Sequence, residues 1–185
     1  MIDISTYLTL VETESKKDKL ETIYNEYLSV MTYVARDLVG KYNAAEDVVH
    51  NAILKIIDNL DKIDLTKATA TKSFVRIITR SCAIDWLRKE KPGSVVSAEE
   101  MVADTESSEP MPIEYVMSNE GYEHLVSCIM SLSPSLKDAC ELKYICGFSN
   151  KEIADMLRIT ENNVGVRINR AKAILSKKMK EGANG

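Results

Sequence analysis

Asn162, Asn163, Arg167, Asn169, Arg170 and Lys172 lie close together near the end of the chain. Asparagine and arginine can make paired hydrogen bonds to adenine and guanine edges, and lysine neutralises phosphate. Residues of these types suit a surface that reads a nucleic-acid duplex and grips its backbone. A basic helix face can equally be a solvated face and nothing more, so the flanking residues decide. Val164, Ile168, Ala171 and Leu175 recur at three- and four-residue spacing, the pattern of a buried helical stripe. They leave the amide and basic residues on the other side. Thr160 stands where it can cap this helix. Just before it, Ser149 and Glu152 have the spacing of a capping box, in which each side chain satisfies a free backbone N–H of the other residue. Ile153, Met156 and Leu157 then face inward, Ala154 is small where a second helix must cross closely, and Ile159 fills the turn. Two short helices and a tight turn make a helix-turn-helix, whose second helix enters the major groove.

That a DNA-reading element sits in a chain of net charge -4 is resolved by where the charges fall. Residues 1–61 carry -5, 62–91 carry +5, 92–136 carry -8 and 137–185 carry +4. The acidity is local, and two basic segments flank an acidic one.

Glycine and proline are few and fall between periodic segments, and no alternating β-branched runs occur, so the expected fold class is all-α. Residues 20–39 predict an amphipathic helix with Leu20, Ile23, Tyr24, Tyr27, Val30, Met31, Val34 and Leu38 inward, ended by Gly40 in a left-handed turn. Residues 44–60 predict a second helix with Val48, Val49, Ala52, Ile53, Ile56, Ile57 and Leu60 along one side. Its other side shows Glu46, Asp47, His50, Asn51 and Lys55, a polar face that can dock on a partner. Residues 61–72, rich in threonine, read as a loop. A third helix spans 73–89, with Phe74, Ile77, Ile78, Ala83, Ile84 and Leu87 inward, Lys72, Arg76 and Arg80 opposite, and Arg88 and Lys89 at its end. Trp86 reads as a packing residue.

Residues 93–112 hold five acids and no base, with prolines at or near both ends. Such a segment buries too little apolar area to offset its ordering entropy and reads as a flexible acidic linker. Two small helical domains follow, 1–92 and 113–185, the second with a helix over 113–132 and another begun by Ser133 as cap and Pro134 at the first helical position. Gly147 terminates that helix.

Several function classes fall away. No apolar run approaches the ~18 residues of a membrane span, and no secretion signal opens the chain. Cys82, Cys128, Cys140 and Cys146 form no C-x-x-C pair, and His50 and His124 complete no zinc site. Free thiols in the cytoplasm are expected. No catalytic motif, metal site or cofactor motif is visible.

The three segments together resemble a bacterial sigma factor of the extracytoplasmic-function type, from about Leu20 to Lys178. AAEDVVHNAILKIIDNLDKI is similar to that family's polymerase-binding helix, and SFVRIITRSCAIDWLRKEK to the helix that melts and reads the downstream promoter element. The stretch from Met130 to Leu175 is similar to the domain that reads the upstream element. The resemblance implies core RNA polymerase and promoter DNA as partners, with an anti-sigma factor a further candidate, and no insertion into a membrane. It implies polymerase docking through Glu46, Asp47, His50 and Asn51. It implies a base-holding pocket in the 61–72 loop, with Lys62, Lys72, Arg76, Arg80, Arg88 and Lys89 on the downstream element's phosphates. Upstream reading would fall to Thr160, Asn162, Asn163, Arg167, Asn169, Arg170 and Lys172. This chain departs from the family's pattern at His50 and Asn51, where Gln and an acid are usual, and at Arg158 and Gly165, where a turn glycine and a basic residue are usual. The rival reading is a conventional helix-turn-helix regulator with an N-terminal helical sensor domain, which leaves the basic third helix and the acidic linker unexplained.

Overall fold

The computed structural model of the chain describes residues 3–90 and 119–183. Among these residues there are eight α-helices and no strand, so the all-α expectation holds. The helices are α1 (Ile4–Leu8), α2 (Glu14–Val39), α3 (Tyr42–Ile57), α4 (Ala68–Glu90), α5 (Asn119–Met130), α6 (Pro134–Cys140), α7 (Asn150–Leu157) and α8 (Glu161–Ala183). The described residues fall into two compact units, residues 3–90 with Met156–Arg158 and residues 119–155 with 159–183. The linker expected at 93–112, and the beginning of the helix expected from residue 113, lie outside the described residues.

In the first unit α2, α3 and α4 pack pairwise on one another. The buried stripe of α2 is Leu20, Ile23, Tyr27, Met31, Ala35 and Val39. Tyr24, Val30, Val34 and Leu38, expected within it, are half-buried flanks. Gly40 ends α2 at φ 68°, and its N–H donates to the Arg36 carbonyl at 2.9 Å. The helix also starts earlier than the periodicity from Leu20 suggested. Its extra N-terminal turns carry Lys16, paired with Asp61 at 2.8 Å, and Lys19, which donates to the Leu60 and Ile63 carbonyls at 3.0 and 2.7 Å. Those lysines tie the first turns of α2 to the connection between α3 and α4.

That connection is shorter than the sequence suggested. Helix α3 stops at Ile57, and Leu60 is buried within a 3₁₀ turn, Leu60–Lys62. Helix α4 begins at Ala68 rather than residue 73, so Thr69, Thr71 and Lys72 are helical and the 61–72 loop is not a loop throughout. The cause is a turn built on Asp64. Its Oδ1 accepts from the Thr66 N–H at 3.1 Å and the Thr66 hydroxyl at 2.6 Å, which also holds the Asp64 carboxyl below its usual pKa. The Asp64 carbonyl accepts from the Lys67 N–H at 3.0 Å and from the Thr71 hydroxyl at 3.3 Å. Local side-chain bonds of this kind stop one element and start the next. Along α4, Phe74, Val75, Ile77, Ile78, Cys82 and Ala83 are buried, whereas Ile84, Trp86 and Leu87 are half-buried.

In the second unit α5 and α6 pack on α8 around Cys128, Leu132, Ala171, Leu175 and Met179. Pro134 occupies the first position of α6 as expected, but the Ser133 hydroxyl does not cap it and lies instead 3.4 Å from that of Ser135. The helix continues into one π-helical turn, Glu141–Ile145. Gly147 then reverses the chain at φ 80°, and the Phe148 N–H donates to the Leu142 carbonyl at 3.0 Å. The capping box is formed: the Ser149 N–H meets Glu152 Oε2 at 2.9 Å, and the Glu152 N–H meets Ser149 Oγ at 3.3 Å.

Two glycines separate backbone demand from steric demand. Gly40 has positive φ and Gly165 is helical, yet a Cβ at either would meet nothing within 4 Å. Gly40→Ala is expected to destabilise the chain by about 1–2 kcal/mol, the strain of a left-handed L-residue. Gly165→Ala is expected to stabilise it by about 0.8–1.0 kcal/mol, the helix-propensity difference. Urea unfolding of the two variants should show midpoints moving in opposite directions.

Candidate nucleic-acid interface

Helix α8 is divided by its packing. Val164, Ile168, Ala171, Leu175 and Met179 are buried, as the stripe predicted. Thr160 Oγ1 accepts from the Asn163 N–H at 3.2 Å, so the threonine caps the helix and fixes where its first turn begins. Asn162, Asn169 and Lys172 are exposed on the opposite side, together with Thr160 itself. Asn163, Arg167 and Arg170, expected to be exposed, are half-buried. Long basic side chains lay their aliphatic stems over apolar surface, and in Arg170 burial reaches the guanidinium itself, whose Nη2 is closed off from solvent. Lys172 is exposed but not isolated. Its Nζ sits 5.5 Å from the centroid of the Tyr144 ring, a cation–π contact with the residue the π-helical turn carries outward. Tyr144 is 57% exposed, and its place beside Lys172 had no signal in the spacing of the sequence.

Between α7 and α8 the turn is made without glycine. Arg158 adopts φ 53°, and the Ile159 N–H donates to the Ala154 carbonyl at 3.1 Å. The left-handed turn that this geometry requires is therefore present, with the strain borne by an arginine.

On α4, Lys72, Arg76 and Arg80 are four residues apart and share one side of the helix. Lys72 is exposed, and Arg76 and Arg80 are half-buried. Lys89 is exposed in the last turn, while Arg88 approaches Asp85 at 3.8 Å. Lys62 is exposed on the 3₁₀ turn that precedes the helix. The cations thus run along one element and its approach, a disposition suited to successive phosphates of a strand.

On α3, Asp47 and Asn51 are exposed, and Glu46 and His50 are half-buried. Asn51 turns its amide back onto the Asp47 carbonyl at 2.7 Å. Lys55, expected on the same polar face, is instead largely buried and lies 3.8 Å from Asp85 of α4. A paired charge facing a neighbouring helix is removed from that polar face. The surface beside His50 is concave. A cavity of about 290 Å³ is lined by Tyr7, Tyr24, Arg36, Tyr42, Glu46 and His50, among others. Arg36 stacks over the Tyr42 ring at 4.8 Å. Tyr7 belongs to α1, which lies before the first helix expected from the sequence.

Among the described residues no group of His, Cys, Asp and Glu is placed to hold a metal ion, and no helix is long and apolar enough to cross a membrane.

Comparison with known proteins bears on both units. The sigma-70 region 2 family profile matches residues 23–92, and the sigma-70 region 4 profile matches residues 122–175. The chain is 28% identical over 174 residues to the ECF RNA polymerase sigma factor SigW of Bacillus subtilis, covering 89% of this chain and 91% of that one. It is 25% identical over 164 residues to the ECF RNA polymerase sigma factor SigL of Mycobacterium tuberculosis, covering 88% and 89%. It is 20% identical over 162 residues to SigX of Bacillus subtilis, covering 86% and 80%. The region 2 match contains the faces of α3 and α4, the region 4 match contains α7 and the first turns of α8, and the two occur in family order along one chain. The chain belongs to the sigma-70 family as a sigma factor of the ECF type, which binds core RNA polymerase and promoter DNA and directs the initiation of transcription.

Proposed function

We propose that three faces of this sigma factor divide the work of initiation. Glu46, Asp47, His50 and Asn51 on α3 dock core polymerase. Lys62, Lys72, Arg76, Arg80, Arg88 and Lys89 hold the phosphates of the opened downstream element. Thr160, Asn162, Asn163, Arg167, Asn169, Arg170 and Lys172 read and grip the upstream element. The first two faces lie in a domain over 1–92 and the third in a domain over 113–185, joined by the acidic segment 93–112. The factor works in the cytoplasm and carries no catalysis of its own, a reading supported by the lack of any catalytic motif in the sequence.

The observation that carries the assignment is the division of α8. Its buried stripe fixes Asn162, Asn169 and Lys172 on the far side, immediately after a capped N-terminus. Helix-turn-helix proteins contact base edges with the N-terminal residues of their second helix. Asn169 supplies a bidentate amide for a base edge, and Lys172, positioned by the Tyr144 ring, a point charge for a phosphate. The basic side of α4 suits a separated strand, which is held by its backbone while its bases are taken out of the stack.

These roles predict different losses. Asn169→Ala should relax preference at one position of the upstream element, at a cost of about 1–3 kcal/mol in binding the cognate site. Lys172→Ala should weaken binding to all sequences alike and reduce the salt slope by about one. In-vitro transcription with core polymerase and a library of randomised upstream elements, read at several salt concentrations, separates the two. Unchanged promoter preference in Asn169→Ala would count against the assignment.

The docking face is tested separately. Asp47→Lys reverses an exposed charge, so folding should be unaffected. Affinity for core polymerase, measured by competition against a labelled sigma factor, should fall several-fold, as expected for one charge at an interface, roughly 1–2 kcal/mol. Equal affinity would remove α3 from the account.

A further inference from the structure

The short helix α1 lies beside the polar face of α3 and engages it through one residue. Tyr7 is 2% exposed, and its hydroxyl lies 3.0 Å from His50 Nδ1 across 43 positions of sequence. The two rings are 5.6 Å apart at their centroids, and Tyr24 flanks Tyr7 at 6.3 Å. Two arrangements of protons fit the distance. Either the phenol donates to an unprotonated Nδ1, or a protonated Nδ1 donates to the phenol oxygen.

Burial distinguishes them. If Nδ1–H were the donor, the phenol proton would need another acceptor, and among the described residues the Tyr7 hydroxyl has none besides His50. A buried donor left unsatisfied is unfavourable, so the phenol donates. Burial also pushes the Tyr7 pKa up to about 12, so the proton remains on the phenol. With Nδ1 accepting, a neutral imidazole carries its proton on Nε2. No group among the described residues accepts a hydrogen bond from that atom.

We infer that Tyr7 is a positioning residue for polymerase docking: it locks His50 in the Nε2–H tautomer, so that the α3 face offers a fixed hydrogen-bond donor to an acceptor on core polymerase. The inference rests on α3 being the docking surface. It adds that a residue of α1, outside the span 23–92 matched by the region 2 profile, sets the chemistry of that surface. An untethered histidine would divide its population between two tautomers, only one of which offers this donor, and would also rotate between ring orientations.

The test uses full-length protein at about pH 8, where free imidazole is neutral. Long-range ¹H–¹⁵N spectra should show His50 Nδ1 as the unprotonated nitrogen in the parent chain and a mixture of tautomers in Tyr7→Phe. Tyr7→Phe should keep its thermal midpoint within a few degrees but lose affinity for core polymerase by roughly three- to ten-fold, the share of one hydrogen bond. In the Tyr7→Phe background, His50→Gln should restore most of that loss, because the glutamine amide donates in either ring state of its neighbours and has no tautomer to lock. Failure of that rescue, or an unaltered His50 tautomer in Tyr7→Phe, would overturn the inference. Asp47→Lys is the control for the surface itself. If Asp47→Lys weakens docking and Tyr7→Phe does not, only the positioning role is wrong. If neither weakens it, the docking surface is wrong and the inference falls with it.

Discussion

Burial of one apolar stripe on each long helix is the constraint from which the remaining properties follow. A helix has one circumference, and the sector given to the core determines which residues remain for solvent or a partner. In α8 the sector through Val164, Ile168, Ala171, Leu175 and Met179 is fully committed. Asn162, Asn169 and Lys172 therefore point outward without any feature of their own requiring it. In α4 the burden is heavier, because it packs on both α2 and α3. The sector left over is narrow, and Lys72, Arg76 and Arg80 at four-residue spacing fill it. Arg76 and Arg80 are half-buried for the same reason. The interface chemistry is thus what the core leaves exposed.

Electrostatics work within that frame. The net charge of -4 hides two basic segments and a strongly acidic one between them. A protein that held promoter DNA alone would need a broad positive field, since nonspecific affinity comes from phosphate neutralisation and counterion release. A subunit of polymerase does not carry that burden by itself and can remain acidic overall. Several of its cations have local work as well. Lys16 and Lys19 fasten the 3₁₀ turn, and Lys55 pairs with Asp85. A count of basic residues therefore overstates the number available to DNA.

What the sequence made legible was what depends on neighbours a few residues apart. Ser149 with Glu152, Thr160 with Asn163, and Gly40 after Val39 are contacts over one to four positions, and each forms as its spacing implied. Ser133 shows the limit of that reasoning. It occupies the cap position, but its hydroxyl turns toward Ser135. The threonines of residues 66–71 misled for a related reason. Threonine signals a loop when its hydroxyl competes with the helix, whereas here Asp64 accepts from Thr66 and Thr71 and so starts α4 early. Contacts over long separations left no trace in the spacing. Tyr7 on His50 and Lys55 on Asp85 depend on how three helices pack, and neither residue type at its position announces its partner. The roles proposed for the candidate site residues rest chiefly on the family resemblance. Their exposure was not: a hydrophobic period places a residue opposite the core without saying how far its stem lies back over apolar surface.

The departures from the family's pattern can be argued from the same physics. At Arg158 the turn still adopts a left-handed conformation, at φ 53°. The geometry of the turn is thus kept while the residue best suited to it is not, and a modest strain is stored between α7 and α8. At Gly165 the situation is reversed. The backbone is helical and a Cβ would meet nothing within 4 Å, so nothing among the described residues calls for glycine. The absence of a side chain one turn into α8 lowers the surface between Asn162 and Asn169, the part of the helix proposed above to face DNA. A helix that comes closer to the groove brings short asparagine side chains within hydrogen-bonding distance, which a flanking arginine or lysine would otherwise hold away. On the reading role proposed for Asn162 and Asn169, short amide readers and a missing side chain between them would be two parts of one geometry, whereas a position that touches nothing would lose only the helix propensity that glycine forgoes.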